Sequence, residues 1–149
     1  MSRERWTHRA PIALGAMLVL SLMPAWAAAP AFQGEFDPCP STPATRANVL
    51  GGGMVSASLD GDTLTITGTF ADLSSPATSA HLRMGLAMGV PGAVIGELSV
   101  PHEITGAISG KVTLSPDQLT ALRRSSVYVQ IESAKAPDGN LWAWLEAPH

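Results

Sequence analysis

Apolar and polar residues alternate with a period of two along most of the chain beyond residue 50, the pattern of strands that turn one face to a core and the other to water. Val55, Ala57 and Leu59 alternate with Ser56 and Ser58, Asp60-Gly61 offers a tight turn, and Leu64, Ile66 and Phe70 alternate with Thr63, Thr65, Thr67 and Thr69. That predicts a hairpin. Ala80, Leu82 and Met84 against His81 and Arg83 predict a third strand, and a glycine-rich loop follows from Gly85 to Gly92. Residues 94–100 and 104–114 read as the next two strands, the second weakened by Gly106 and Gly110. Only one stretch has helical spacing: Ser115 with Gln118 makes a capping box, Pro116 stands at the first helical position, and Leu119 with Leu122 forms an apolar stripe ahead of Arg123 and Arg124. Val127, Val129 and Ile131 against Tyr128, Gln130 and Glu132 predict a sixth strand. Pro137-Asp138-Gly139 then turns the chain into a seventh, 141–145. About seven strands with one short helix between the fifth and sixth predict an all-β fold, an antiparallel β-sandwich.

The beginning of the chain breaks this pattern. Arg3, Arg5 and Arg9 precede an uncharged apolar run from Ala10 to Met23, and Ala25-Trp26-Ala27 places small residues where a signal peptidase reads them. Residues 1–27 are therefore expected to be a secretory signal peptide cut after Ala27. The run ends at Pro24, short of the roughly 20 residues a membrane span needs, and Cys39 lies too far downstream to carry a lipid, so no stable membrane anchor is expected. Residues 28–47, with Pro30, Pro38, Pro40 and Pro43, read as an extended arm. The domain proper is expected over 48–149, in a periplasmic or extracellular protein.

Cleavage would remove three of the nine basic residues and one of the twelve acidic ones, moving the formal charge from -3 to -5. An acidic chain has no basic surface for a phosphate backbone, and nucleic acid is not an expected partner. Cys39 is the single cysteine, so no intramolecular disulfide can form; a free thiol in the arm, an intermolecular disulfide and a metal thiolate all remain open.

From Leu50 to Leu145 the chain resembles the chordin-domain (CHRD) family. The resemblance is carried by the Thr-rich hairpin ending in Phe70, and by Ala80-His81-Leu82 followed by Gly85, Gly89, Pro91 and Gly92. Leu114-Ser115-Pro116-Asp117-Gln118-Leu119, Val127-Tyr128-Val129 and Pro137-Asp138-Gly139-Asn140-Leu141 complete it. It implies an immunoglobulin-like sandwich and a non-enzymatic binding or structural module. The family usually shows His-x-His where this chain has His81-Leu82-Arg83, and a second histidine where it has Glu132. Two imidazoles are thus replaced by an Arg and a Glu, which are expected to pair across neighbouring strands.

Strand parity puts His81, Arg83, Tyr128, Gln130, Glu132, Trp142 and Trp144 on the side away from the core. Aromatics beside Arg and carboxylate have the composition of a recognition surface. His81, Arg83, Gln130, Glu132, Trp142 and Trp144 are therefore the candidate contacts for another envelope or extracellular protein or ligand. Two other arrangements remain open: the arm folds over the tryptophans, or the parity is reversed and they lie inside. An alternative function is copper binding through His81 with Met84 or Met88, all of them soft or borderline ligands. Neither a nucleophile elbow nor a zinc-protease helix nor a phosphate-binding glycine loop is present, so neither an enzyme nor a cofactor is expected.

Overall fold

The computed structural model describes residues 31–148; the expected signal peptide lies outside them. Among the described residues eight strands are formed: β1 (Ala31–Pro38), β2 (Gly52–Asp60), β3 (Thr63–Ala71), β4 (Ala77–Met84), β5 (Ala93–Leu98), β6 (Gly106–Thr113), β7 (Val127–Ser133) and β8 (Ala136–Trp144). One helix, α1 (Pro116–Arg123), joins β6 to β7. It starts as its sequence requires, with the Gln118 N–H donating to Ser115 Oγ at 3.3 Å and the Ser115 N–H donating to Gln118 Oε1 at 2.9 Å.

All strand pairs are antiparallel, in the order β5-β4-β7-β8-β1-β2-β3-β6. The two end strands meet through a bridge between Ser99 and Ser109, whose backbone groups exchange hydrogen bonds of 2.8 and 3.1 Å. The sheet is thereby almost closed into a barrel. This corrects the expected seven-stranded, immunoglobulin-like sandwich: there are eight strands, and they form one continuous sheet.

The additional strand is β1, which lies in the stretch read as a Pro-rich arm. Residues Ala31 to Phe36 pair with β2, Asp37 and Pro38 pair with β8, and Gln33 bridges Glu146 beyond the end of β8. Phe32 and Phe36 point into the core, where both are buried. Between them the inward position is Gly34, because a Cβ there would stand 2.5 Å from the Trp144 carbonyl oxygen. The glycine removes the middle apolar residue of the alternation, and with prolines around it the segment does not read as a strand.

The core is one cluster that includes Phe36, Val55, Leu64, Ile66, Phe70, Leu82, Val129, Ile131, Leu141 and Leu145. These are the inward positions of the alternation.

A chain beginning at residue 48 would lack β1, leaving the edges of β2 and β8 unpaired and removing Phe32 and Phe36. Deleting a core Phe side chain costs about 3–5 kcal/mol, so two remove most of a typical stability of about 5–15 kcal/mol. The shortened chain is expected to show no cooperative thermal transition by circular dichroism, whereas residues 28–149 show one. A cooperative transition in the shortened chain would contradict an integral β1.

Candidate functional site

Register builds the outer face of β4, β7 and β8 from rows of facing residues. Arg83, Tyr128 and Trp144 form one row, His81, Gln130 and Trp142 the next, and Ser79 faces Glu132 at the end. The six candidate contacts therefore share one face. Leu141, Ala143 and Leu145 are fully buried in the core, so the tryptophans lie outside it and the reversed parity is ruled out. The first half of the arm does not lie across them, since it is strand β1 within the sheet.

Glu132 organises this face. Only 4% exposed, its carboxylate accepts from Ser79 Oγ at 2.9 Å and Gln130 Nε2 at 3.2 Å. His81 Nδ1 lies 3.1 Å from both carboxylate oxygens, and Arg83 Nη2 lies 3.4 Å from Oε1. An ionised carboxylate only accepts, so Nδ1 of His81 carries the hydrogen in this pairing. The expected Arg83–Glu132 ion pair is thus made, with one partner buried instead of at an exposed cross-strand site. Register shifts flank Glu132, between Ala77 and Ser79 on β4 and between Ile131 and Ser133 on β7. Such irregularities re-aim side chains at the end of a ladder.

The network continues outward. Arg83 Nη1 donates to the Gly92 carbonyl at 3.1 Å, and the Gly92 N–H donates to the Tyr128 hydroxyl at 2.9 Å, tying the glycine-rich loop to the face. Tyr128 is fully buried, stacked on Trp144 with ring centroids 4.3 Å apart and edge-on to Trp142 at 5.9 Å. The two tryptophans contact each other edge-on at 5.4 Å and stay half-buried. Trp144 Nε1 and Arg83 Nε are buried without a hydrogen-bond partner.

Cys39 closes the other end of the face. A Cβ on Gly139 would stand 2.9 Å from Gln130 Nε2 and 3.0 Å from Cys39 Sγ, and Gly139 has a φ of +137°. Space and backbone both call for glycine in this turn. Gln130 Nε2 also donates to the Asp138 carbonyl at 3.1 Å. The Cys39 thiol is buried, and burial, seconded by the Glu132 carboxylate and opposed by Arg83, pushes it up to about 12. It is therefore a packed side chain in a structured segment, poorly placed for an intermolecular disulfide or a metal thiolate. Among the described residues no group of three His, Cys, Asp or Glu side chains converges to hold a metal ion. His81 is engaged by Glu132, Met84 packs against the core, and Met88 sits in a cleft beside Trp144.

Ser79, Gly92 and Cys39 belong to this cluster although sequence reasoning did not select them. Ser79 was within reach, because it shares the parity of His81 and Arg83 along β4. Gly92 and Cys39 arrive from a loop and a strand end, which no periodicity marks.

Comparison with known families gives one match, the CHRD domain, over residues 33–141. No curated protein and no solved structure matches the chain.

Removing the Glu132 carboxylate takes an acceptor from each of four side chains and leaves Arg83 without its counter-charge. Glu132→Ala is expected to lower the unfolding free energy by about 2–4 kcal/mol, and Arg83→Ala by less, since three donors would still hold the carboxylate. Denaturant unfolding of both variants checks the order.

In the folded protein Cys39 should resist a thiol reagent at about pH 8 and react fully once unfolded. Its thiol is raised above its ordinary value of 9.0, so the stability it contributes is complete below that value and declines as pH rises toward about 12. Stability measured across that window should fall less steeply in Cys39→Ala than in the parent.

Proposed function

The chain belongs to the CHRD-domain family, and from that premise we propose that it is an exported, non-enzymatic binding module. It engages another envelope or extracellular protein through the outer face of β4, β7 and β8. The observation that carries this is the pair Trp142 and Trp144, partly exposed side by side and braced by the buried Tyr128 ring. Large aromatics held rigid before binding lose little conformational entropy on association, which is why such residues dominate interface energies.

The charged part of the face supports the same use. Gln130 and Glu132 are buried and act as a frame, while the His81 and Arg83 side chains keep 21% and 25% of their surface open beside the tryptophans. Of the six candidate contacts, His81, Arg83, Trp142 and Trp144 are then the ones a partner touches. Gln130 and Glu132 set their positions. The buried, high-pKa thiol of Cys39 and the engaged ring of His81 offer no activated nucleophile or free general base, in keeping with a non-enzymatic domain.

Affinity capture from the native envelope tests this. A partner retained by the parent is expected to fall by at least about tenfold with Trp142→Ala or Trp144→Ala, the scale of an interface hot spot, and to be unaffected by Thr67→Ala on β3. Thermal melts of each variant separate loss of contact from loss of fold. Equal capture by folded Trp142→Ala and Trp144→Ala would remove this face from the binding function.

A further inference from the structure

A second surface adjoins the tryptophans from the other side. The outward residues of β1 are Gln33, Glu35 and Asp37, all exposed, and their neighbours follow from register. Asp37 pairs with Trp142 and Gln33 with Glu146, so the position midway sets Glu35 beside Trp144; across the strand, Glu35 pairs with Met54 of β2. Between the two outer pairs the β1–β8 ladder has no paired residues. Over this break lies a cleft of about 410 Å³ whose walls include Glu35, Asp37, Glu146, Met54, Met88 and Trp144.

The chemistry of the cleft is one-sided. Three carboxylates line it and no Lys or Arg does. Met54 and Met88, from β2 and the glycine-rich loop, are 53% and 47% exposed, and with Trp144 they give the cleft an apolar, adaptable wall. An indole beside a carboxylate suits a cationic head group, which the ring attracts through its face and the carboxylate through its charge. No three carboxylates or other ligating groups converge on a point among the described residues, so the negative charge is spread along the cleft and does not suit a single metal ion. Spread charge over an apolar wall matches a chain that carries several cations on aliphatic stems.

We propose that this cleft binds a basic peptide segment of a partner protein. Its Lys or Arg head groups lie among Glu35, Asp37 and Glu146, and its aliphatic side chains rest on Met54, Met88 and Trp144. The proposal rests on the neighbouring face being a protein-binding surface and names the chemistry of the partner there.

The test is calorimetric titration of residues 28–149 with three probes: a short peptide with Lys and Arg among Leu and Ser, the same peptide with Glu at its basic positions, and spermidine. Saturable binding of the basic peptide is expected, with none of the acidic one. Affinity should fall at least tenfold in the variant Glu35→Gln, Asp37→Asn, Glu146→Gln, and should weaken in high salt. A variant with Asp60→Asn, Asp62→Asn and Glu103→Gln, which removes the same charge elsewhere, should bind like the parent. Absence of saturable binding, equal loss in both triple variants, or spermidine binding as tightly as the peptide would each overturn the site. Envelope capture that depends on Trp142 and Trp144 but ignores the cleft variant would also overturn it, while leaving the module reading intact. Charge-dependent peptide binding without tryptophan-dependent capture would do the reverse.

Discussion

Strand β1 must satisfy two edges at once. On one side it continues the β2-β3-β6 part of the sheet, on the other it completes β5-β4-β7-β8, and among the described residues only the Ser99–Ser109 bridge otherwise joins the two by strand pairing. An unpaired edge exposes a row of donors and acceptors that invites aggregation. The same short strand fills the core from one face with Phe32 and Phe36 and lines the outer surface with Glu35 and Asp37 on the other. Gly34 is what allows this crossing, since any side chain there would meet the Trp144 backbone. The closed sheet, the neighbourhood of Trp144 and the acidic cleft all follow from this one insertion.

The second constraint is a buried carboxylate. A charge removed from water needs several polar partners, and Glu132 has them in Ser79, His81, Arg83 and Gln130. Because each of these also fixes its neighbour, the outer face is set before any ligand arrives. Arg83 holds the glycine-rich loop through Gly92, Gly92 holds Tyr128, and Tyr128 stacks on Trp144. Charge network and aromatic cluster thus form one mechanical unit. Arg83 and Glu132 close an ion pair within this network, so neither charge is left unpaired.

Much of the fold was legible because its signals are local. The β2–β3 hairpin, the strand around His81, the helix cap at Ser115 and the outward parity of β7 and β8 all rest on residues within a few positions of one another. Strand β1 was not legible, since Gly34 and the prolines answer to a neighbour distant in sequence. For the site, parity placed six residues on one face correctly, but it ranked them by type. Gln130 and Glu132 look like surface residues and are buried, because Cys39, the turn at Gly139 and the opposing donors enclose them.

The sequence by itself determined the all-β class, the helix α1 with its cap and which side of each recognised strand faces the core, because steric periodicity and capping act over short range. Only the tertiary structure decided that an apparent arm is a central strand, that the sandwich is a nearly closed sheet, and that the lone cysteine is packed away. It also decided that an acidic cleft opens beside the tryptophans. Each of these depends on segments far apart in the chain meeting across a strand or a turn, and no local pattern of residues encodes such a meeting.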